Sequence, residues 1–320
     1  MIRFSYIYNI VGALTLSLGI ASCSKNETLE ENPTVRKIRM PLHFNWSHVD
    51  SIPKKMKIVC YPTNGYIHTG GYTVFDVLDT DTAISLPAGC YDIAAYNYDT
   101  QYVLISGVPA RETLLATTME YSHHGSAFVK HYLDSLYQGK PILDYPDYMV
   151  HAYRPQFYHT NSGETLTLTP DSMVVSVDLT MRGFKNLDLC KEARMTIDNV
   201  PGRRYIGYDY KTADPSAVIF DGTIDKQEGT IKAKFFLFGK EPTDLPLQEH
   251  RLSLFLGIGQ GHVCVPFYVT KSMSGFTTKD NRITIVSPDV EIDLKDFLTI
   301  NGGIVVDVNE WKDVGQELIY

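Results

Sequence analysis

Lys37-Ile38-Arg39-Met40-Pro41-Leu42-His43-Phe44 sets Ile38, Met40, Leu42 and Phe44 in alternation with Lys37, Arg39, Pro41 and His43. A period of two fits a strand with one face on a core. Met56, Ile58 and Cys60 repeat the alternation before the turn-forming Pro62-Thr63-Asn64-Gly65. Ala83 to Leu86 makes another short strand, stopped by Pro87-Ala88-Gly89, and Tyr91 to Tyr96 makes the next. Short strands at this spacing predict an all-β antiparallel sandwich. A parallel sheet would need intervening helices, which the pattern lacks.

Further along, Pro109 to Tyr121 is expected as one helix, with Leu114, Leu115 and Met119 as its apolar contacts and Gly125 as its stop. Tyr132 to Tyr158, punctuated by Pro141, Pro146 and Pro155, is expected as a long surface excursion. Its Tyr132, Tyr137, Tyr145, Tyr148, Tyr153 and Tyr158 either cover a core edge or present apolar faces and hydroxyls to a glycan or another subunit. A second domain is expected from Gly163. Thr165, Thr167 and Thr169 alternate with Leu166 and Leu168, and Pro170-Asp171 turns the chain into Met173 to Leu179. Later strands are expected over Arg194–Ile197, Ala217–Thr223, Thr230–Phe238, Leu252–Ile258, Val263–Val269, Arg282–Val286 and Ile304–Val308. Residues 35–162 and 163–320 are thus expected as two antiparallel β-sandwich domains in tandem, each with its own core.

Upstream, Ile7 to Ser22 is apolar or small, with Arg3 before it and Ile20-Ala21-Ser22-Cys23 at its end. A short apolar segment with one basic residue in front and small residues behind is a processing signal, here residues 1–22; the alternative is a retained transmembrane anchor. The pattern resembles the bacterial lipoprotein signal, which implies acylation of Cys23 and an outer membrane as partner. Each buried methylene contributes about 0.8 kcal/mol, so two or more acyl chains hold a protein stably. Residues 23–34 have little to bury and form a flexible tether. Their Lys25, Glu27, Glu30 and Glu31 resemble a signal for the outer face of the outer membrane in Bacteroidota, or serve only as a solvated linker.

The 320-residue chain carries 29 Lys plus Arg against 37 Asp plus Glu, and loss of residues 1–22, with Arg3, gives a formal charge of -9. A nucleic acid partner would need a basic stripe, so that class is excluded. Cys60, Cys90, Cys190 and Cys264 are even in number and permit disulfides, but lack metal or redox spacing and are expected as buried thiols. No metal or cofactor is expected: His123, His124 and His131 lack companion ligands, and Asp76, Asp79 and Asp81 lack the terminal glutamate of a calcium loop. Ser122 and Ser126 lie outside any nucleophile elbow, and Gly257-Ile258-Gly259-Gln260-Gly261 is a poor phosphate loop. Catalysis, including hydrolysis, is therefore not expected.

Several motifs resemble the fimbrillin-like surface lipoproteins of Bacteroidota, particularly the fimbria-anchor proteins. They are Phe44-Asn45-Trp46, Met56-Lys57-Ile58-Val59-Cys60-Tyr61-Pro62, Leu86-Pro87-Ala88-Gly89-Cys90-Tyr91-Asp92-Ile93, Ala95-Tyr96-Asn97-Tyr98-Asp99-Thr100 and Gly302 to Trp311. Read as chemistry, Pro87 and Gly89 make a tight turn that feeds Tyr91, Ile93 and Ala95 onto one face. Trp46 and Trp311 either plug core ends or lie at an interface. The resemblance implies two transthyretin-like sandwiches, an outer-membrane lipoprotein facing the exterior, and a role in anchoring, capping or building a fimbria with other surface subunits. It also implies donated-strand pairing, with Arg36 or Arg39 as a processing position that would release the first strand. The short end beyond Trp311 favours an anchor over a shaft unit, and a glycan-binding adhesive module is the alternative.

Overall fold

The computed structural model describes residues 36–63, 71–78, 83–121, 127–137, 140–160, 163–208, 215–239, 249–270, 272–273, 282–299 and 302–305. The first part of the chain supplies β1 (Lys37–Phe44), β2 (Lys55–Thr63), β3 (Thr73–Leu78), β4 (Ala83–Pro87), β5 (Gly89–Asn97), β6 (Val103–Ser106) and β7 (Leu115–Thr118). A helix, α1 (Ala127–Leu136), precedes β8 (Ile142–Asp144), β9 (Val150–His159), β10 (Leu166–Leu168) and β11 (Asp171–Ser172). The remainder supplies β12 (Val174–Lys185), β13 (Cys190–Pro201), β14 (Arg203–Tyr205), β15 (Pro215–Asp225), β16 (Thr230–Phe238), β17 (Arg251–Ile258), β18 (Gly261–Tyr268), β19 (Arg282–Asp293) and β20 (Gly302–Val305). The protein is all-β in architecture, built from several mainly antiparallel sheets.

Two sheets, ordered β10-β1-β4 and β11-β9-β5-β2-β3, enclose the first core. Met40, Leu42, Ile84, Leu86, Leu166 and Leu168 come from one layer, and Met56, Ile58, Tyr91, Ile93, Val150 and Phe157 from the other. The alternation quoted at the outset therefore does what period two requires: β1 buries its even-numbered side. Tyr91, Ile93 and Ala95 share that core as the turn predicts, and the Tyr91 hydroxyl donates to the Pro87 carbonyl at 2.9 Å, tying the strand back to its own turn.

The second core lies inside the sheet ordered β19-β12-β16-β15-β13-β17-β18-β20. Strands β15 and β16 pair only over Thr223 to Asp225, while the rest of β15 follows β13 and the rest of β16 follows β12. The sheet folds over at that hairpin. Val177, Leu179 and Phe235 on one side then meet Met195, Phe220 and Leu254 on the other, and Phe220 stacks on Phe235 at 3.7 Å.

Three expectations need correction. Pro109 to Tyr121 is not a helix: it forms a 3-10 turn over Arg111–Thr113 and then β7. Leu114 and Ala116 are buried in alternation and Thr117 and Thr118 are β-branched, so pairing with β6 and β14 prevails. Gly107 serves the same turn, since its φ is +69° and any Cβ there would lie 1.9 Å from the Thr113 carbonyl oxygen. Second, Tyr132 to Tyr158 is no surface excursion, because it contains part of α1, β8 and most of β9. Third, parallel pairs do form, at β1/β10, β12/β19, β15/β8 and β18/β20. Their partners come from distant segments, and distance in sequence replaces the crossover helix.

Strand pairing also runs across residue 163. β10 pairs with β1 and β11 with β9, whereas β8 joins β15 and β7 joins β14. A third cluster binds the parts together: Tyr61, Ala94 and Tyr96 pack with Leu114, Ala116, Met173, Val174, Ile206 and Phe238. Residues from Lys37 onward make one compact unit.

Candidate functional site

β1 occupies a slot between two other strands. Its first half runs antiparallel to β4, from Lys37 opposite Pro87 to Pro41 opposite Ala83, and its second half runs parallel to β10, from Leu42 opposite Leu166 to Phe44 opposite Leu168. Pro41 stands at the changeover, where its missing N–H is tolerated. Met40 and Leu42 fill the slot floor against Leu86, Leu166 and Leu168. Burying two such side chains contributes about 1.5–3 kcal/mol each.

Beyond the ladders, further contacts hold β1. His159 Nε2 lies 3.3 Å from the Ile38 carbonyl, which can only accept, so Nε2 carries the proton. The Asn45 amide donates to the Leu168 carbonyl at 2.8 Å, prolonging the pairing with β10. Phe44 and Trp46 stack at 4.9 Å and pack half-buried on the first core, so Trp46 closes that end of the slot. Were β1 to leave, an apolar channel with two unpaired edges would remain, the arrangement that accepts an added strand. Arg36 and Arg39 are both exposed, one just before β1 and one within it.

A polar clasp that the sequence did not announce forms where β5 meets β9. Asp92 falls at a register shift between β5 and β9, where Gln156 adopts a φ of 48°. One carboxylate oxygen accepts the Gln156 amide at 2.8 Å and the other accepts from Arg111 at 2.5 Å. Arg111 also donates to the Tyr153 hydroxyl and to Glu112, and stacks over the Tyr208 ring. Its partners raise the guanidinium pKa further although burial opposes this, and the Arg111 contact holds the Glu112 carboxyl below its usual range, second to the backbone bond there. A lone aspartate inside the Tyr91-Asp92-Ile93 run was the one available signal.

The six tyrosines do not converge. Tyr132 meets Phe255 edge-on at 5.3 Å, Tyr137 is buried with its hydroxyl 3.4 Å from Thr196, and Tyr145 is half-buried on the second core. Tyr148 tilts on Phe236 and accepts from the Ser51 amide, Tyr153 belongs to the clasp, and Tyr158 is 60% exposed. A glycan-stacking platform needs several rings exposed side by side, and this set offers one. Cys60, Cys90, Cys190 and Cys264 are free thiols, all buried. Burial pushes Cys190 up to about 11 and Cys264 up to about 12, so both stay protonated and unreactive at neutral pH.

Among the described residues no three His, Cys, Asp or Glu side chains converge as metal ligands. His131 is exposed on α1, Asp76 pairs with Lys57, and Gly259 and Gln260 form the tight turn between β17 and β18. A shallow groove of about 910 Å³ runs past Cys190, Arg194 and Lys226. Its cations are engaged: Arg194 with Asp221 and Tyr121, Lys191 with the Gly259 carbonyl, and Lys226 with the Asp188 carbonyl. Cys23, Trp311, His123, His124, Ser122, Ser126, Asp79 and Asp81 lie outside the described residues.

The chain is similar to several known proteins. The model of a family described as Domain of unknown function (DUF5119) matches residues 22–221. A stretch of 113 residues is 27% identical to Fim4B of Bacteroides ovatus, named as a fimbrium anchoring subunit; it covers 35% of this chain and 32% of that protein. The match thus spans about a third of the relative's length. A crystal structure from Bacteroides ovatus described as an adhesin is similar with a TM-score of 0.60 and 18% identity, over 81% of this chain and 92% of the other. A second Bacteroides ovatus adhesin structure gives 0.51 and 6%, over 79% and 88%. At such identities the likeness bears on the fold.

Proposed function

Because the chain belongs to the DUF5119 family, we propose that it is a non-enzymatic surface protein that anchors or caps a fimbria-like adhesive assembly. The carrying observation is the β1 slot, in which one strand lies between two edges and fills an apolar channel. A subunit that accepts or exchanges a strand gains affinity from main-chain bonds and selectivity from alternate pockets. The anchoring name of the Bacteroides ovatus relative and the adhesin description of the similar structures support this reading.

The same proposal places the chain at the outer membrane, facing outward and held by acyl groups on Cys23. It divides the body into two transthyretin-like sandwiches, 35–162 and 163–320, which exchange β8, β10 and β11. Cleavage at Arg36 or Arg39 would free β1; retention of β1 suits a unit that ends an assembly instead of lengthening it. The test is crosslinking in the native membrane, followed by identification of the adduct. Another surface subunit in the adduct, together with acyl mass on the Cys23 peptide, is expected. Native protein without that mass, and without a filament partner, would end the reading.

A further inference from the structure

The outward face of β1 differs from the rest of this acidic chain. β1, β4 and β10 together contain no aspartate or glutamate, although the chain has 37. Their solvent face carries Lys37, Arg39 and His43 from β1, with Ser85 from β4 and Thr167 from β10 beside them, all exposed. Opposite Arg39 stands Ser85 and opposite His43 stands Thr167. Arg39 beside the Ser85 hydroxyl suits phosphate oxygens, which accept from both, and the His43 ring N–H and the Thr167 hydroxyl add further donors.

Chain connectivity says which phosphates are within reach. Only residues 24–36 separate Cys23 from Lys37. At about 3.5 Å per residue a stretch of that length spans at most roughly 45 Å. We propose that this face docks on the anionic headgroups of the membrane that holds the protein, so that the β10-β1-β4 sheet lies toward the bilayer. The inference rests on the anchored reading of Cys23. A tether keeps the local concentration of the face near the bilayer high, so two or three weak contacts suffice to orient the body. Docking also shields Arg39 from a protease and favours retention of β1.

The test uses the acylated full-length protein in nanodiscs of phosphatidylethanolamine and phosphatidylglycerol, labelled with an amine reagent and read lysine by lysine by mass spectrometry. Lys37 is expected to react roughly fivefold more slowly than in phosphatidylcholine nanodiscs, the size of one cation contact at a charged surface. About 0.5 M NaCl should restore its rate, because the contact is screened. Lys234, exposed on β16, serves as the control and should not change. Arg39→Glu, which leaves the buried side of β1 untouched, should lose the protection while keeping acyl mass on the Cys23 peptide. Equal Lys37 rates in the two bilayers, or protection that salt leaves intact, overturn the proposal. Protection that requires an added subunit or polysaccharide instead of lipid overturns it in favour of that occupant. Absence of acyl mass overturns the anchor and this inference together, whereas acyl mass with unprotected Lys37 overturns this inference alone.

Discussion

At the residue scale, buried polar groups near the first core decide more than the exposed ones. Asp92 satisfies a left-handed Gln156 and the Arg111 guanidinium at once, so Asp92→Ala leaves a cation and an amide without their acceptor. A loss of about 2–3 kcal/mol is expected in urea denaturation, and less for Asp92→Asn, which keeps an oxygen. His151 gives a pH dependence. Burial, and then the neighbouring Arg204, hold its pKa down to about 3. On unfolding it returns to the ordinary value near 6.5, so the unfolded chain binds the extra proton between those limits. Stability is therefore present above about pH 6.5 and lost as pH falls toward about 3. Comparing unfolding at pH 6.5 and 4.5, His151→Gln should remove roughly 2 kcal/mol of that fall. Neither residue stands out in the sequence, since a strand aspartate and a strand histidine look like surface groups until their neighbours are known.

Among the elements, strands were legible and the helix was not. Period two survives in β1, β4, β12 and β16 because each buries mainly one side, and the side is written in the residues. α1 was hidden because ten residues carry a weak signal, and its apolar contacts are partly tyrosines. It lies on the outer side of the second sheet through Leu133 and Tyr137, and Tyr132 reaches Cys264 and Ser253 beneath it. Leu133→Ala should undock α1 at a cost of about 2–4 kcal/mol. The readout is thiol labelling by peptide: Cys264 should react faster, while Cys60 in the first core should not change. In β1, Met40→Ala should cost a similar amount, about 2–4 kcal/mol by thermal or urea unfolding, because the slot floor cannot close around the gap.

At the scale of the whole molecule, shared packing links the two cores. Met173, Val174 and Phe238 pack with Tyr61, Ala94 and Tyr96, and Arg204 donates to the Met173 carbonyl at 2.9 Å. Calorimetry is therefore expected to show one cooperative transition; two resolved transitions would mean that the cores unfold separately. Composition and alternation by themselves determined the all-β class, the strand-forming runs and the acidic balance, because side-chain burial at period two is a local property of the chain. Which strands became neighbours was decided only by tertiary structure. The pairing of β1 with β10, the transfer of β8 to β15 and the clasp around Asp92 join residues tens of positions apart, and their free energy comes from contacts that no local pattern records.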